Sequence, residues 1–258
     1  MLKTRVVTAC ILAPVAILAV VLGGFVFWLA VFAACAIGLL ELGSMAQRRQ
    51  VRLCMPVALL ASLAITLAAF VANIVAMHAA LTLLVIGCLT YAVVSPHGVS
   101  VKDAVVTVSG VTYITFLLSH IIMLRNMHVW LVGLVLGITW ACDVFAYFVG
   151  SLLGRHKISP RISPNKSWEG ALGGLVAAVA ASLVIAPYAG LNTAVAAAAG
   201  IVLGIGGQVG DLAESAIKRF AGVKDSGALI PGHGGVLDRL DSIMFNAPLL
   251  YYLIMLVR

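Results

Sequence analysis

Apolar runs of bilayer-crossing length recur from one end of this 258-residue chain to the other, and they leave it one class of fold. A helix needs about 20 mostly apolar residues to cross the ~30 Å hydrocarbon core of a membrane. Runs of that kind occupy residues 6–22, 25–42, 55–73, 74–94, 103–123, 129–149, 171–187, 193–209 and 242–257. In hydrocarbon, a segment on its own satisfies its backbone N–H and C=O groups only as a helix. The expectation is an all-α fold, a polytopic transmembrane helical bundle of about nine spans. Composition excludes a water-soluble core. Hydrophobic residues make up 63% of the chain and charged ones 10%, where soluble domains carry roughly a quarter charged.

The lysines and arginines sort by side. With the N-terminus placed in the cytoplasm, fourteen of the sixteen fall on inner segments, and only Arg125 and Arg258 on outer ones. That is the asymmetry the positive-inside rule requires. It accounts for the net charge of +7, and no basic run with interleaved aromatics suggests nucleic acid. Lys3 and Arg5 before the first run imitate a secretory signal, but no small-residue cleavage site follows, so the run is read as a retained helix. Cys10, Cys35, Cys54, Cys88 and Cys142 are scattered without a CxxC and are read as small buried hydrophobes. One integral membrane domain, 1–258, is expected, with 1–128 as a lipid-facing scaffold. Residues 129–258 then carry the chemistry, through inner loops 150–169 and 211–241. Glycine pairs at Gly133/Gly137, Gly200/Gly204 and Gly206/Gly210 have small-xxx-small spacing, which suits close packing within one subunit or a homodimer face.

Polarity gathers in residues 210–242, which hold five of the nine acids. Asp211, Glu214, Ser215 and Lys218 are spaced three, four and seven apart and share a helical face. Two carboxylates and a cation there can edge a magnesium ion and a phosphate. Lys224, Asp225 and Gly227, then His233, Gly234 and Gly235, form a glycine-rich turn whose backbone N–H groups suit phosphate oxygens. Asp238 and Asp241 flank Arg239, share a face, and need a cation or a metal partner. A second polar loop, 150–170, offers Arg155, His156, Lys157, Arg161 and Lys166 ahead of Ser167 and Glu169. Its two Ser-Pro steps favour extended turns over helix. Asp143 is an acid deep inside an apolar run, and an intramembrane carboxylate is a functional candidate by default. Glu41 and Asp103, at run boundaries, are read as interfacial, and His78 and His120 as structural.

This pattern resembles the signature of the phosphatidate cytidylyltransferase family, the CDP-diglyceride synthases. The residues that carry it are Ser215, Lys218-Arg219, Lys224-Asp225, Gly227, Pro231, His233-Gly234-Gly235, Asp238-Arg239 and Asp241. Asp143 to Tyr147 and the SPNKSWEG stretch also resemble the family, so the specific likeness covers 143–242. Val144 departs from it, since many relatives carry a small hydroxyl residue there. The resemblance implies transfer of a cytidylyl group from CTP to phosphatidate, giving CDP-diacylglycerol and pyrophosphate, with Mg²⁺ required. It implies a bacterial inner membrane location with the site facing the cytoplasm. Asp211 and Asp238 are the expected metal residues, helped by Glu214 and Asp241. Lys166, Lys218, Lys224, Asp225 and His233 are expected at the reacting phosphates. Ser167, Ser215, Arg219, Arg239, Gly234, Gly235 and Asp143 are expected to hold or orient substrate. A CTP-dependent transferase acting on another lipid phosphate or a lipid alcohol is the alternative. A transporter is disfavoured, because the outer halves of the spans are nearly free of charge and no internal repeat is visible.

Overall fold

The structure is a computed structural model and describes residues 14–94, 100–229 and 234–257. It is a helical bundle. Residues 14–22 are helical and turn through Gly23 and Gly24, both at positive φ, into α1, Gly24–Gln47. Then come α2, Met55–Phe70, and α3, Ile74–Val94. The chain reverses between them at Ala72, in the left-handed region, and Asn73 Oδ1 accepts from Ala76 N at 2.9 Å. Next are α4, Val101–Met127, and α5, Val129–Leu153. A short antiparallel hairpin follows, β1 at Lys157–Ser159 and β2 at Ser163–Ser167. The bundle closes with α6, Trp168–Ile185, α7, Thr193–Ala221, and α8, Leu237–Val257.

Seven of these helices are long and apolar enough to cross a membrane. The eighth, α2, has 16 residues, about 24 Å at 1.5 Å per residue, which is short of the hydrocarbon thickness. The expected first run, 6–22, lies partly outside the described residues. The 74–94 and 129–149 runs start where the helices do, but two others are longer than hydropathy indicates. α7 continues twelve residues past 209, because its polar half is amphipathic and stays helical until Gly222 ends it at φ +74. α8 begins at Leu237, five residues ahead of the apolar run. α4 contains a wide π-turn over Val111–Phe116.

Small residues set the packing of the second half. A Cβ on Gly200 would meet Val179 Cα at 2.6 Å, and one on Gly204 would meet Ala178 Cβ at 2.9 Å, so α6 and α7 touch backbone to backbone. Gly170 and Gly174 bring α6 equally close to the Ala146 and Cys142 carbonyls of α5. Gly206 and Gly210 face Leu249 and Asp241 of α8, and Gly137 faces Ile185. Of the small-xxx-small glycines, Gly137, Gly200, Gly204, Gly206 and Gly210 face other helices of the same chain, and Gly133 meets only Trp130 of its own helix. Buried side-chain bonds tie neighbours further. Asn246 donates to Thr139 Oγ1 at 2.9 Å, Ser242 to the Gly207 carbonyl at 3.0 Å, and Thr115 to Ser62 Oγ at 3.1 Å. Arg125 donates to the Val20 and Val21 carbonyls, and Asn126 to those of Ala69 and Phe70, so two helix ends are capped from α4. Among the described cysteines, Cys35, Cys54, Cys88 and Cys142 are free thiols.

Candidate active site

α7 presents its charged residues toward two neighbours at once. On one side stands the hairpin. Ser163 and Pro164 are extended, as the Ser-Pro step dictates, and β2 delivers Lys166 to α7, where its Nζ lies 2.6 Å from Asp211 Oδ2. Ser215 donates to Asp211 Oδ1 at 3.4 Å. The hairpin is held in place at both ends. Arg219 donates to the Ile162 carbonyl at its tip, and Glu169 accepts from Arg155 N, His156 N and His156 Nδ1 at its base. Ser167 caps α6 by accepting from Gly170 N at 3.2 Å, with glycines at 150 and 154 leaving room for its hydroxyl.

Between the hairpin, α5, α6 and α7 lies an open polar cavity of about 550 Å³. Asp143, Asn165, Lys166, Gln208 and Asp211 line it. Asp143 sits ten residues before the end of α5, about 15 Å down the helix, yet it is exposed because the cavity reaches it. Gln208 donates to the Ala171 and Gly204 carbonyls at 3.2 and 3.0 Å, which fixes it one turn below Asp211. Sequence reasoning missed Gln208. Its signal was a lone amide three residues from Asp211 in a helix of small residues.

On the other side of α7 is a buried ion cluster. Lys218 Nζ lies 2.6 Å from Glu214 Oε2 and 2.5 Å from Asp238 Oδ1, and Glu214 is 1% exposed. Asp238 Oδ2 accepts from Ser226 N, Ser226 Oγ and Gly235 N at 2.8–2.9 Å. Asp238, expected to bind metal, has both oxygens engaged by donors and ties Ser226 to Gly235. Glu214, expected as its helper, is spent on Lys218. Asp241 accepts from Ser242 N at 2.7 Å and lies within the electrostatic field of Asp211, Glu214 and Asp143.

Glu41 corrects the sequence expectation outright. It is buried rather than interfacial, and from α1 it reaches the same loop. Its carboxylate accepts from Val236 N at 2.8 Å and Leu237 N at 2.9 Å, and at 3.1 Å it shares the single Ser226 hydroxyl proton with Asp238. It thereby caps the start of α8. Gly227 and Gly235 are glycines because a Cβ at either would press on Glu41 Oε1. Gly234, at φ +83, would press on Asp238. These glycines, expected to cradle phosphate, admit carboxylates of the chain itself. Lys224 and Asp225 are exposed on the loop before Ser226, and Arg239 is exposed on the first turn of α8, where its charge acts on Asp143. His233 lies outside the described residues.

Among the described residues no three His, Cys, Asp or Glu side chains form a ready metal-binding group. Asp143 and Asp211 nevertheless face one cavity. Two hard oxygen donors suit Mg²⁺, which takes one or two carboxylates and fills its other positions with water and phosphate oxygens.

A model of the cytidylyltransferase family matches residues 3–257. The chain is 39% identical over 168 residues to the phosphatidate cytidylyltransferase of Staphylococcus saprophyticus, covering 64% of this chain and 65% of that one. It is 54% identical over 119 residues to the phosphatidate cytidylyltransferase of Brucella abortus, covering 44% and 43%. An uncharacterized protein of Escherichia coli, YnbB, is 49% identical over 125 residues, covering 48% and 42%. The matches thus span between two fifths and two thirds of these relatives.

Proposed function

Because the chain belongs to the cytidylyltransferase family, we propose that it joins CTP to phosphatidate, giving CDP-diacylglycerol and pyrophosphate, at the inner face of a bacterial cell membrane. The observation that carries this reading is the Lys166–Asp211 contact at 2.6 Å across a cavity that also holds Asp143. It joins the two polar segments of an otherwise apolar chain, with cations on the hairpin and carboxylates on the helices. The names of the Staphylococcus and Brucella relatives support phosphatidate as the acceptor.

The chemistry asks little of a general base. The phosphate of phosphatidate is already a nucleophile. One of its oxygens bonds to the α-phosphorus of CTP, the bond to the β-phosphate bridge breaks, and pyrophosphate leaves with that electron pair. The protein's part is in-line placement and relief of charge crowding. Lys166 is the cation positioned to meet the phosphates, backed by Lys157 on the same hairpin and Arg239 on α8. Asp211 and Asp143 would hold Mg²⁺, which supplies neutralisation of the clustered phosphate oxygens when bound. Lys218 keeps Glu214 and Asp238 compensated and α8 in register with α7.

Purified protein with labelled CTP, phosphatidate and Mg²⁺ should yield a nucleotide-linked lipid and one pyrophosphate per product. No such lipid from protein that remains monodisperse would refute the assignment. Lys166→Ala should retain folding and lose about a hundredfold in turnover, the scale for one preorganised donor to a phosphoryl-type transition state.

A further inference from the structure

Gln208 stands on the wall of the polar cavity with Asp143 and Asp211, and its amide is held from behind. Nε2 donates to the Gly204 carbonyl of α7 at 3.0 Å and to the Ala171 carbonyl of α6 at 3.2 Å, and it lies 3.5 Å from Cys142 Sγ of α5. Main-chain carbonyls therefore take both amide protons. Turning the amide over would set Oε1 against two carbonyl oxygens, so the network fixes which end is the acceptor. Oε1 accepts from no described residue and is not buried, which leaves it facing the cavity. A tie between helices needs only a donor: Ser182 makes one between α6 and α7 with its hydroxyl, 2.6 Å from the Ala196 carbonyl. Gln208 makes its tie with a group that carries an acceptor at the other end. It lies three residues before Asp211 on the same face of α7, and through Cys142 it abuts the residue before Asp143. Gln208 thus sits where the helix of one acid meets the helix of the other.

We propose that Gln208 Oε1 is a third protein oxygen for the divalent cation, set beside Asp143 and Asp211 by the hydrogen bonds of its own Nε2. The inference rests on the reading above that those two acids hold Mg²⁺, and it adds the residue that completes their site. Among the described residues no third His, Cys, Asp or Glu joins them. Mg²⁺ and Mn²⁺ take hard oxygens, and a carbonyl oxygen suits them as a carboxylate does. A neutral oxygen adds a ligand without a third negative charge at membrane depth, where each such charge is costly. Asn165, the other amide on the cavity wall, is exposed on the hairpin, whereas Gln208 is half-buried and tied to two helices. Because α6 and α7 aim the amide together, the cation is held well only when those helices are in register.

The test uses Mn²⁺ as the probe, read by its electron paramagnetic resonance signal, with the protein in phosphatidylcholine nanodiscs and neither CTP nor phosphatidate present. Gln208→Met keeps the bulk of the side chain and removes Oε1, and the Kd for Mn²⁺ should rise roughly tenfold, the scale on which partners of a metal site act. Gln208→Glu also loses the Nε2 donors but keeps an oxygen, and it should bind Mn²⁺ at least as tightly as the native protein. A residue that only ties helices would weaken binding equally in both variants. Equal loss in the two, or no loss in Gln208→Met, would therefore overturn the proposal. If Gln208→Met is not recovered folded, the native protein still decides. Fe²⁺ with ascorbate and peroxide generates radicals at the bound metal and should oxidise or cut the chain near 142–143 and 208–211; damage confined to other segments would overturn the proposal. Unchanged Mn²⁺ binding in Asp211→Asn would sink the two-acid site and this proposal with it, whereas loss there with none in Gln208→Met sinks the proposal alone.

Discussion

Replacing Glu41 with alanine tests the joint between the two halves of the chain. The Glu41 carboxylate accepts hydrogen bonds from residues 185 to 196 positions away, two of them from the Val236 and Leu237 amides where α8 begins and one shared with Asp238 from the Ser226 hydroxyl. A hydrogen bond to a charged group contributes about 1.5–3 kcal/mol net, and a buried donor left unpaired costs about 1–3 kcal/mol. Water replaces part of that once the loop opens. The free energy for local opening around Val236 and Leu237 should therefore fall by about 2–3 kcal/mol, which is about 30- to 150-fold in the opening equilibrium. Hydrogen exchange followed by mass spectrometry reads this directly, as faster exchange at 234–240 with α5 and α6 unchanged. Glu41→Gln keeps one acceptor oxygen and turns an NH₂ group toward the amides, so it should fall between alanine and the native residue. If exchange at Val236 and Leu237 is the same in Glu41→Ala as in the native protein, Glu41 does not hold the loop.

Lys218→Met leaves Glu214 and Asp238 buried without their cation and should destabilise by about 3–5 kcal/mol in thermal melts, with Glu214→Gln in the same chain restoring part of it; an unshifted melt would refute the ion cluster. Gly200→Leu should abolish recovery of monodisperse protein, because its side chain would meet the Val179 backbone, while Gly87→Ala, with nothing within 4 Å, should be neutral; tolerance of the first would refute the α6–α7 packing. Chelation by EDTA should stop product formation and added Mg²⁺ should restore it. Asp143→Asn should raise the Mg²⁺ needed for half-activity about ten- to a hundredfold, and an unchanged Mg²⁺ response would remove Asp143 from the site.

Much of the architecture was legible because hydropathy and span length are strong local signals. The 74–94 run is the helix found, residue for residue. The Ser-Pro steps foretold extended backbone rather than helix before Lys166. The three-four-seven spacing placed Asp211, Glu214 and Lys218 along one helix, but did not show that Asp211 turns to the hairpin and Glu214 and Lys218 to α8. What stayed hidden was partnership across distance. Nothing around Glu41 in the chain announces Val236, and nothing in Gly-Gly distinguishes a turn that admits phosphate from one that admits the chain's own carboxylates. Hydropathy also stopped α7 at 209, since polarity and loss of helix look alike until the periodicity of the polar residues is weighed.

The wide turn in α4 acts beyond its own residues. It absorbs surplus backbone, so the two ends of one rod are phased independently. At the lower end Asp103 accepts from Arg52 N and Thr107 from Cys54 N, pinning the connection that follows α1. At the upper end Arg125 and Asn126 seal two neighbouring helix termini. Trimming a single residue between them would swing one set about 100° away from its partners. The length of that segment should thus tolerate no deletion, even where its side chains are freely exchanged.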